Sequence, residues 1–167
     1  QDAWAMRSHS LARQSAATRQ VEIVPLRGVA EDEFTRELTP RHCARAPVVQ
    51  GDITAANMAV AADAAAFVVI VSDRIGARLK RAGLRLLQGA TLGALPEQPG
   101  LSPLPAIRQI LARQGLVPAT LRRAEIMEAF AVQTLACLQE AKLEPDIVNP
   151  CGGALAQGHP VGASGAI

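Results

Sequence analysis

The chain has 167 residues, 49% of them hydrophobic and 19% charged. That is enough apolar material for a buried core and argues against a disordered segment. A formal charge of only +2, 2% aromatic residues and no tyrosine argue against a polyanion partner and against nucleic acid held by base stacking. Cys43, Cys137 and Cys151 are odd in number and not in metal-ligand spacing. This favours a reducing, cytoplasmic setting with no disulfide framework and no metal. Neither a signal peptide nor a run of 18 apolar residues is seen, so a soluble chain with no membrane partner is expected. The chain does not begin with Met and stops at Ala166-Ile167, in what reads as the opening of a helix. A piece of a longer protein is therefore expected.

From Gln1 to Ser15, Trp4, Ala5, Ser8, Leu11, Ala12 and Ser15 follow helical spacing, with Arg7, Arg13 and Gln14 facing outward. This predicts an amphipathic helix. Val21 to Pro25 alternates and stops at proline, as a short strand does. Residues 27–50 are polar, arginine-rich and aperiodic, and predict an irregular excursion. Gly51 to Asn57 leads into an alanine-rich helix expected near Met58–Ala66. Phe67-Val68-Val69-Ile70-Val71 is a continuous apolar run, the pattern of a strand buried on both faces. Ser72 can cap a helix that runs to Ala82 and ends at Gly83. Leu84–Thr91 is again strand-like, and Pro103 to Gln114 reads as a helix with prolines in its first turn and Gly115 at its end. Arg123–Ile126 predicts a short strand, and Glu128–Ala141 a helix that buries Phe130, Ala131, Leu135 and Leu138. Strands alternating with helices of these lengths predict α/β layers.

Chemistry concentrates in Asn149-Pro150-Cys151-Gly152-Gly153-Ala154-Leu155-Ala156-Gln157-Gly158-His159-Pro160-Val161-Gly162-Ala163-Ser164-Gly165. Five glycines, three alanines and one serine surround a single histidine followed by proline. Such a run cannot fill a core by side-chain volume. It suits close approach of backbone to something else, and it holds one imidazole, the only group in the run with a useful proton near neutral pH. The bland alternative is a glycine-rich turn with a surface or structural histidine.

The register of this run resembles the C-terminal signature of the thiolases, the acetyl-CoA acetyltransferase family, which reads Asn-x-x-Gly-Gly-x-aliphatic-small-x-Gly-His-Pro-x-small-x-Ser-Gly. Asn149, Gly152, Gly153, Leu155, Ala156, Gly158, His159, Pro160, Gly162, Ser164 and Gly165 fall on it. Further segments resemble the family in the family's order. They are Gln1-Asp2-Ala3-Trp4-Ala5, Glu22-Ile23-Val24-Pro25, Thr54-Ala55-Ala56-Asn57 followed by Asp63-Ala64-Ala65-Ala66, Gly100-Leu101-Ser102-Pro103 and Met127-Glu128-Ala129-Phe130-Ala131. The resemblance covers the whole chain but less than half of a full thiolase.

The resemblance implies an α/β chain that is part of a thiolase-like layered α/β/α/β/α fold. Residues 1–50 would be the end of the loop domain covering the substrate, 51–82 the last part of the N-terminal half-domain, and 83–167 the first part of the C-terminal half-domain. It implies a thiolase-type acyl-CoA C-acyltransferase of fatty acid metabolism, cleaving 3-oxoacyl-CoA or condensing acetyl-CoA. Coenzyme A thioesters would be the substrates, with no cofactor and a homodimer or homotetramer as the assembly. In that chemistry one cysteine forms an acyl-enzyme, a second moves the α-proton of acetyl-CoA, and donors stabilise the enolate oxygen.

His159 is the residue the resemblance places there, activating the nucleophilic thiol and donating to the oxyanion. Ala129 and Phe130 would line the pantetheine channel, Phe130 being equally readable as a core aromatic, and Gly158 leaves room for the thioester. Two positions depart from the pattern. Met127 replaces an Asn that fixes an oxyanion-hole water, and a thioether cannot donate a hydrogen bond. Ala59 replaces a Ser that meets the pantetheine. Cys151 falls where Asn is usual, neither catalytic cysteine is identifiable, and the isolated fragment is expected to be inactive. Arg36, Arg41, His42 and Arg45 form a basic cluster that suits the phosphates of coenzyme A or a solvated face. The alternative reading is a divergent or inactive thiolase-like CoA-binding protein or fragment.

Overall fold

The computed structural model describes residues 1–167. Helix α1 (Asp2–Gln14) forms as the spacing predicts, with Asp2 in its first turn and Arg13 in its last, each at the end of the helix dipole it complements. Its buried stripe holds Trp4, Ala5, Ser8 and Ala12, and also His9. A short α2 (Ala16–Gln20) follows.

The stretch expected to be irregular contains regular structure. In α3 (Pro40–Arg45), the Thr39 hydroxyl accepts from the His42 amide at 3.3 Å while His42 Nδ1 accepts from the Thr39 amide at 3.3 Å. This reciprocal cap satisfies two amides at once, and Pro40 fits the first turn because its missing N–H needs no partner there. Strands β1 (Val48–Gln50) and β2 (Ile53–Thr54) then form an antiparallel hairpin, pairing Val48 with Thr54 and Gln50 with Ile53. Elements of two to six residues are too short to show a period.

The alanine-rich helix expected near Met58–Ala66 is absent. Met58 bridges Phe130 in antiparallel fashion, and Ala61 bridges His159 in parallel fashion. Cross-chain pairing outweighs the helical propensity of alanine here. The same pairing delays α6, which spans Ala131–Ala141 and not Glu128–Ala141. Residues 128–130 stay outside the helix, Phe130 being extended with φ −143° and ψ 144°, with the Ala59 amide on Ala129 O at 2.9 Å and the Ala131 amide on Asn57 O at 2.9 Å.

Phe67–Val71 and Leu84–Thr91 are not strands, and neither is Val21–Pro25. A strand needs a neighbour that offers N–H and C=O groups, whatever its own side chains prefer. No segment of this chain pairs its backbone with residues 67–71 or 84–91, and their apolar side chains meet solvent, Phe67 at 93% exposure and Ile70 at 73%. Between them α4 (Asp73–Leu79) starts at Ser72, whose Oγ accepts from the Ile75 amide at 3.4 Å, and stops at Lys80, short of Gly83. Helix α5 (Pro103–Gln114) ends at Gly115 with φ +61°, as the sequence predicts. Arg123–Ile126 is reduced to one parallel bridge, Ala124 to Val148.

The core lies where α1, α6, this bridge and α7 (Ala154–Gln157) meet. Trp4, Ala5, Ile126, Ala131, Leu138 and Val148 pack there with Leu155. This packing is the platform on which the histidine loop rests.

Candidate active site

The loop after Val148 is shaped by what lies under it. Asn149 adopts φ +46° and clamps the neighbouring chain: its Oδ1 accepts from the Ile126 amide at 2.8 Å and its Nδ2 donates to Ile126 O at 2.7 Å. Gly152 has φ +81°, and a Cβ there would sit 2.6 Å from both Ala12 Cβ and Ser8 O. A Cβ on Gly153 would overlap the Glu128 carboxylate. These two glycines let the loop press onto α1 and onto Glu128.

Glu128 is completely buried and receives four donors. Trp4 Nε1 at 2.8 Å and Asn149 Nδ2 at 3.0 Å donate to Oε1. Ser8 Oγ at 2.8 Å and the Leu155 amide at 3.2 Å donate to Oε2. Ser8 Oγ also accepts from the Gly153 amide at 2.9 Å. A buried carboxylate survives without a cation when its lone pairs are filled in this way. In the sequence, Glu128 stands inside the Met127–Ala131 motif with nothing to mark a task. Its one visible signal is a lone charge in the run Ile126-Met127-Glu128-Ala129-Phe130-Ala131.

His159 is half-buried. Its amide donates to Val60 O at 2.7 Å, and its Nδ1 lies 2.7 Å from Ser164 Oγ. No other side-chain hydrogen bond reaches the ring, so Nε2 is uncommitted. Gly158 before it has φ +89°, and a Cβ there would meet Ala62 Cβ at 2.9 Å and Phe34 Cδ2 at 3.1 Å. Phe34 and Ala62 therefore wall the histidine loop, a role that residues 27–50 did not betray by any periodicity.

Five of the positions singled out in the sequence come together through backbone pairing. Ala59 is bonded to Ala129, Phe130 is bridged through Met58, and His159, following Gly158, is bonded to Val60. Met127 precedes Ala129 and Phe130 in the chain at 40% exposure, outside any helix or strand. The cysteines stand apart. Cys43 and Cys137 are buried, and burial pushes both thiols up; Cys137 Sγ donates to Gly100 O at 3.3 Å. Cys151 Sγ accepts from Arg123 Nη2 at 3.0 Å. None of the three hydrogen-bonds His159.

Arg36, His42 and Arg45 line a cavity of about 360 Å³ whose apolar walls include Leu38, Ala55 and Ala56. Arg41, the fourth member of the basic cluster, does not line it.

The family profile described as "Thiolase, C-terminal domain" matches residues 80–167. A protein of Staphylococcus aureus strain COL named "Putative acetyl-CoA C-acetyltransferase VraB" is 35% identical over 99% of this chain and 46% of its own length. Its namesake in Staphylococcus epidermidis is 33% identical over the same shares. The chain thus spans about half the length of the curated relatives it matches. Among solved structures, the Acat5 thiolase of Ascaris suum in complex with coenzyme A superposes with a TM-score of 0.84 at 32% identity, over 99% of this chain and 46% of that one. The dimeric peroxisomal thiolase of Saccharomyces cerevisiae gives 0.81 at 29%, over 97% and 44%. The fold is accordingly part of the α/β thiolase fold, although few of its strands are paired within these residues. The profile lies over more than half of the chain, on the segment that carries the histidine loop: the chain belongs to the thiolase family.

Proposed function

We propose that this chain supplies the histidine and part of the thioester channel of a thiolase-type acyl-CoA C-acyltransferase, acting by thiolysis of 3-oxoacyl-CoA or condensation of acetyl-CoA. The observation that carries this reading is the convergence of His159 with Ala59–Val60 and Ala129–Phe130, with Nε2 left free. A free imidazole nitrogen can take a proton from a thiol, and the thiolate is the form that attacks a thioester. Protonated, the same nitrogen can donate to an oxygen that gains charge. Small residues around it leave space for a narrow pantetheine arm. The cavity of Arg36, His42 and Arg45 offers guanidinium forks for the phosphates of coenzyme A. The reaction asks for no metal and no nicotinamide, and a homo-oligomer in the cytoplasm is the setting we propose. Neither nucleophile is assigned within the chain, so residues 1–167 alone should have no turnover.

In a complete enzyme carrying these residues, His159→Ala should lower kcat by roughly 10²–10⁴-fold with little change in melting temperature. Acetoacetyl-CoA cleavage measures this, and a kcat within a few-fold of wild type would make His159 structural. A second reading, a divergent enzyme with altered carbon–carbon chemistry, is favoured by Met127, whose thioether offers no donor. Met127→Asn should then change acyl-chain preference or kcat by up to about tenfold and leave stability nearly unchanged.

A further inference from the structure

Ser164 is the single side chain bonded to the imidazole of His159, and its hydroxyl has two places to go. Oγ is 2.7 Å from His159 Nδ1 and 3.2 Å from Pro160 O. A hydroxyl carries one proton and two lone pairs, and a carbonyl oxygen only accepts. When the proton points to Pro160 O, Oγ accepts from Nδ1–H and a neutral ring presents a lone pair at Nε2. When the hydroxyl turns onto Nδ1, a neutral ring must carry its proton on Nε2. Pro160 O does not depend on the hydroxyl, because the amides of Ala163 at 2.7 Å and Ser164 at 3.0 Å both donate to it. Turning the hydroxyl therefore leaves no buried acceptor empty, and neither arrangement is locked.

Resting on the reading of His159 given above, we propose that Ser164 is a positioning residue whose hydroxyl, turning between Pro160 O and His159 Nδ1, sets which nitrogen of the ring holds the proton. A base and an oxyanion donor make opposite demands on Nε2. In the base step an S–H bond breaks, Nε2–H forms, and the sulfur keeps the electron pair as thiolate. Nδ1–H of the imidazolium stays on Oγ, whose own proton rests on Pro160 O. Between the two steps the imidazolium gives up one proton to the departing CoA thiolate and becomes neutral; in the oxyanion step the tautomer that carries Nε2–H donates it to the enolate oxygen while Nδ1 accepts from the turned hydroxyl. A backbone carbonyl at this place would serve only one of the two, since its oxygen only accepts. Serine, being both donor and acceptor, serves both.

The test is made in a complete enzyme containing this sequence, with Ser164→Ala, Ser164→Thr and His159→Ala, and with the histidine rings labelled for ¹⁵N NMR. Ser164→Ala should lower kcat by roughly tenfold at nearly constant KM, move the acid limb of the kcat/KM profile, and deplete the Nδ1–H form of His159. Ser164→Thr, which keeps the hydroxyl, should restore kcat to within a few-fold and return the ring to the wild-type tautomer balance. The melting temperature should change little in all three. An inactive His159→Ala enzyme beside a Ser164→Ala enzyme with unaltered kcat, pH profile and ring tautomer overturns the proposal alone. Equal losses in the Ala and Thr variants also overturn it. An active His159→Ala enzyme overturns the reading of the site, and the proposal with it.

Discussion

Glu128 shows how one buried charge can organise a site from below. Two donors converge on each of its oxygens, from Trp4 and Asn149 on one and Ser8 and Leu155 on the other. Glu128→Gln keeps the shape but turns one oxygen into an NH₂ group facing two donors. Ser8 can rotate to accept, whereas the Trp4 indole and the Leu155 amide cannot. The expected loss is about 2–4 kcal/mol, read as a lower urea midpoint at unchanged slope. An unchanged midpoint would remove the four-donor arrangement as a source of stability. At this scale the sequence made the histidine loop legible, because its demand for small residues and positive φ is local and leaves glycine in fixed register. It hid Glu128, His9 and Phe34, because their partners lie on other segments and a polar residue on a buried stripe looks like an interruption.

Between elements, the contact of α1 with the segment before α3 has a pH dependence. His9 is buried on α1, and its Nδ1 accepts from the Arg36 amide at 3.3 Å. Burial, and then repulsion by the Arg36 guanidinium, lower it from 6.5 to about 4. A lowered folded value means that the unfolded chain takes up the proton first as pH falls. The contribution is complete above pH 6.5, declines as pH falls toward 4, and levels off below. Its full extent is up to roughly 3 kcal/mol. Urea unfolding of wild type and His9→Gln at pH 7, 5.5 and 4 checks this. The gap between the two should narrow or reverse toward pH 4, and a constant gap would remove His9 as the cause. Elements whose signals are local were legible: α1 from its stripe, α5 from its prolines and Gly115, and the start of α4 from Ser72. The helix expected at 58–66 was misjudged because Ala59–Ala61 find partners around Ala129 and His159, and such pairing leaves no trace in alanine.

Across the whole molecule, burial is uneven, with 25 of 167 residues buried and residues 63–95 contributing none. Phe67-Val68-Val69-Ile70-Val71 is apolar, uncharged, free of proline, exposed and unpaired, which is the profile of a segment that recruits another strand. The 167-residue chain should therefore self-associate at roughly 10 μM and above. Phe67→Lys with Val69→Lys should suppress this without lowering the melting temperature, since both side chains are exposed. Sedimentation velocity and thioflavin fluorescence measure it, and a monodisperse wild-type chain would refute it. The α/β class was legible from these apolar runs, whereas their pairing was not, because it depends on neighbours that these residues do not provide.

The bonds from Trp4 and Ser8 to Glu128 close loops of 124 and 120 positions in the sequence. Contacts so distant along a chain form late, after the entropy of closing the loop has been overcome. The floor under the histidine loop, which these bonds hold at Gly153 and Leu155, should therefore form late in folding and not from the loop alone. A chain arrested before that stage would hold the complete signature and no ordered imidazole. The appearance of a fixed His159 environment therefore reports a late stage of folding, and it should lag behind helix formation in a stopped-flow experiment.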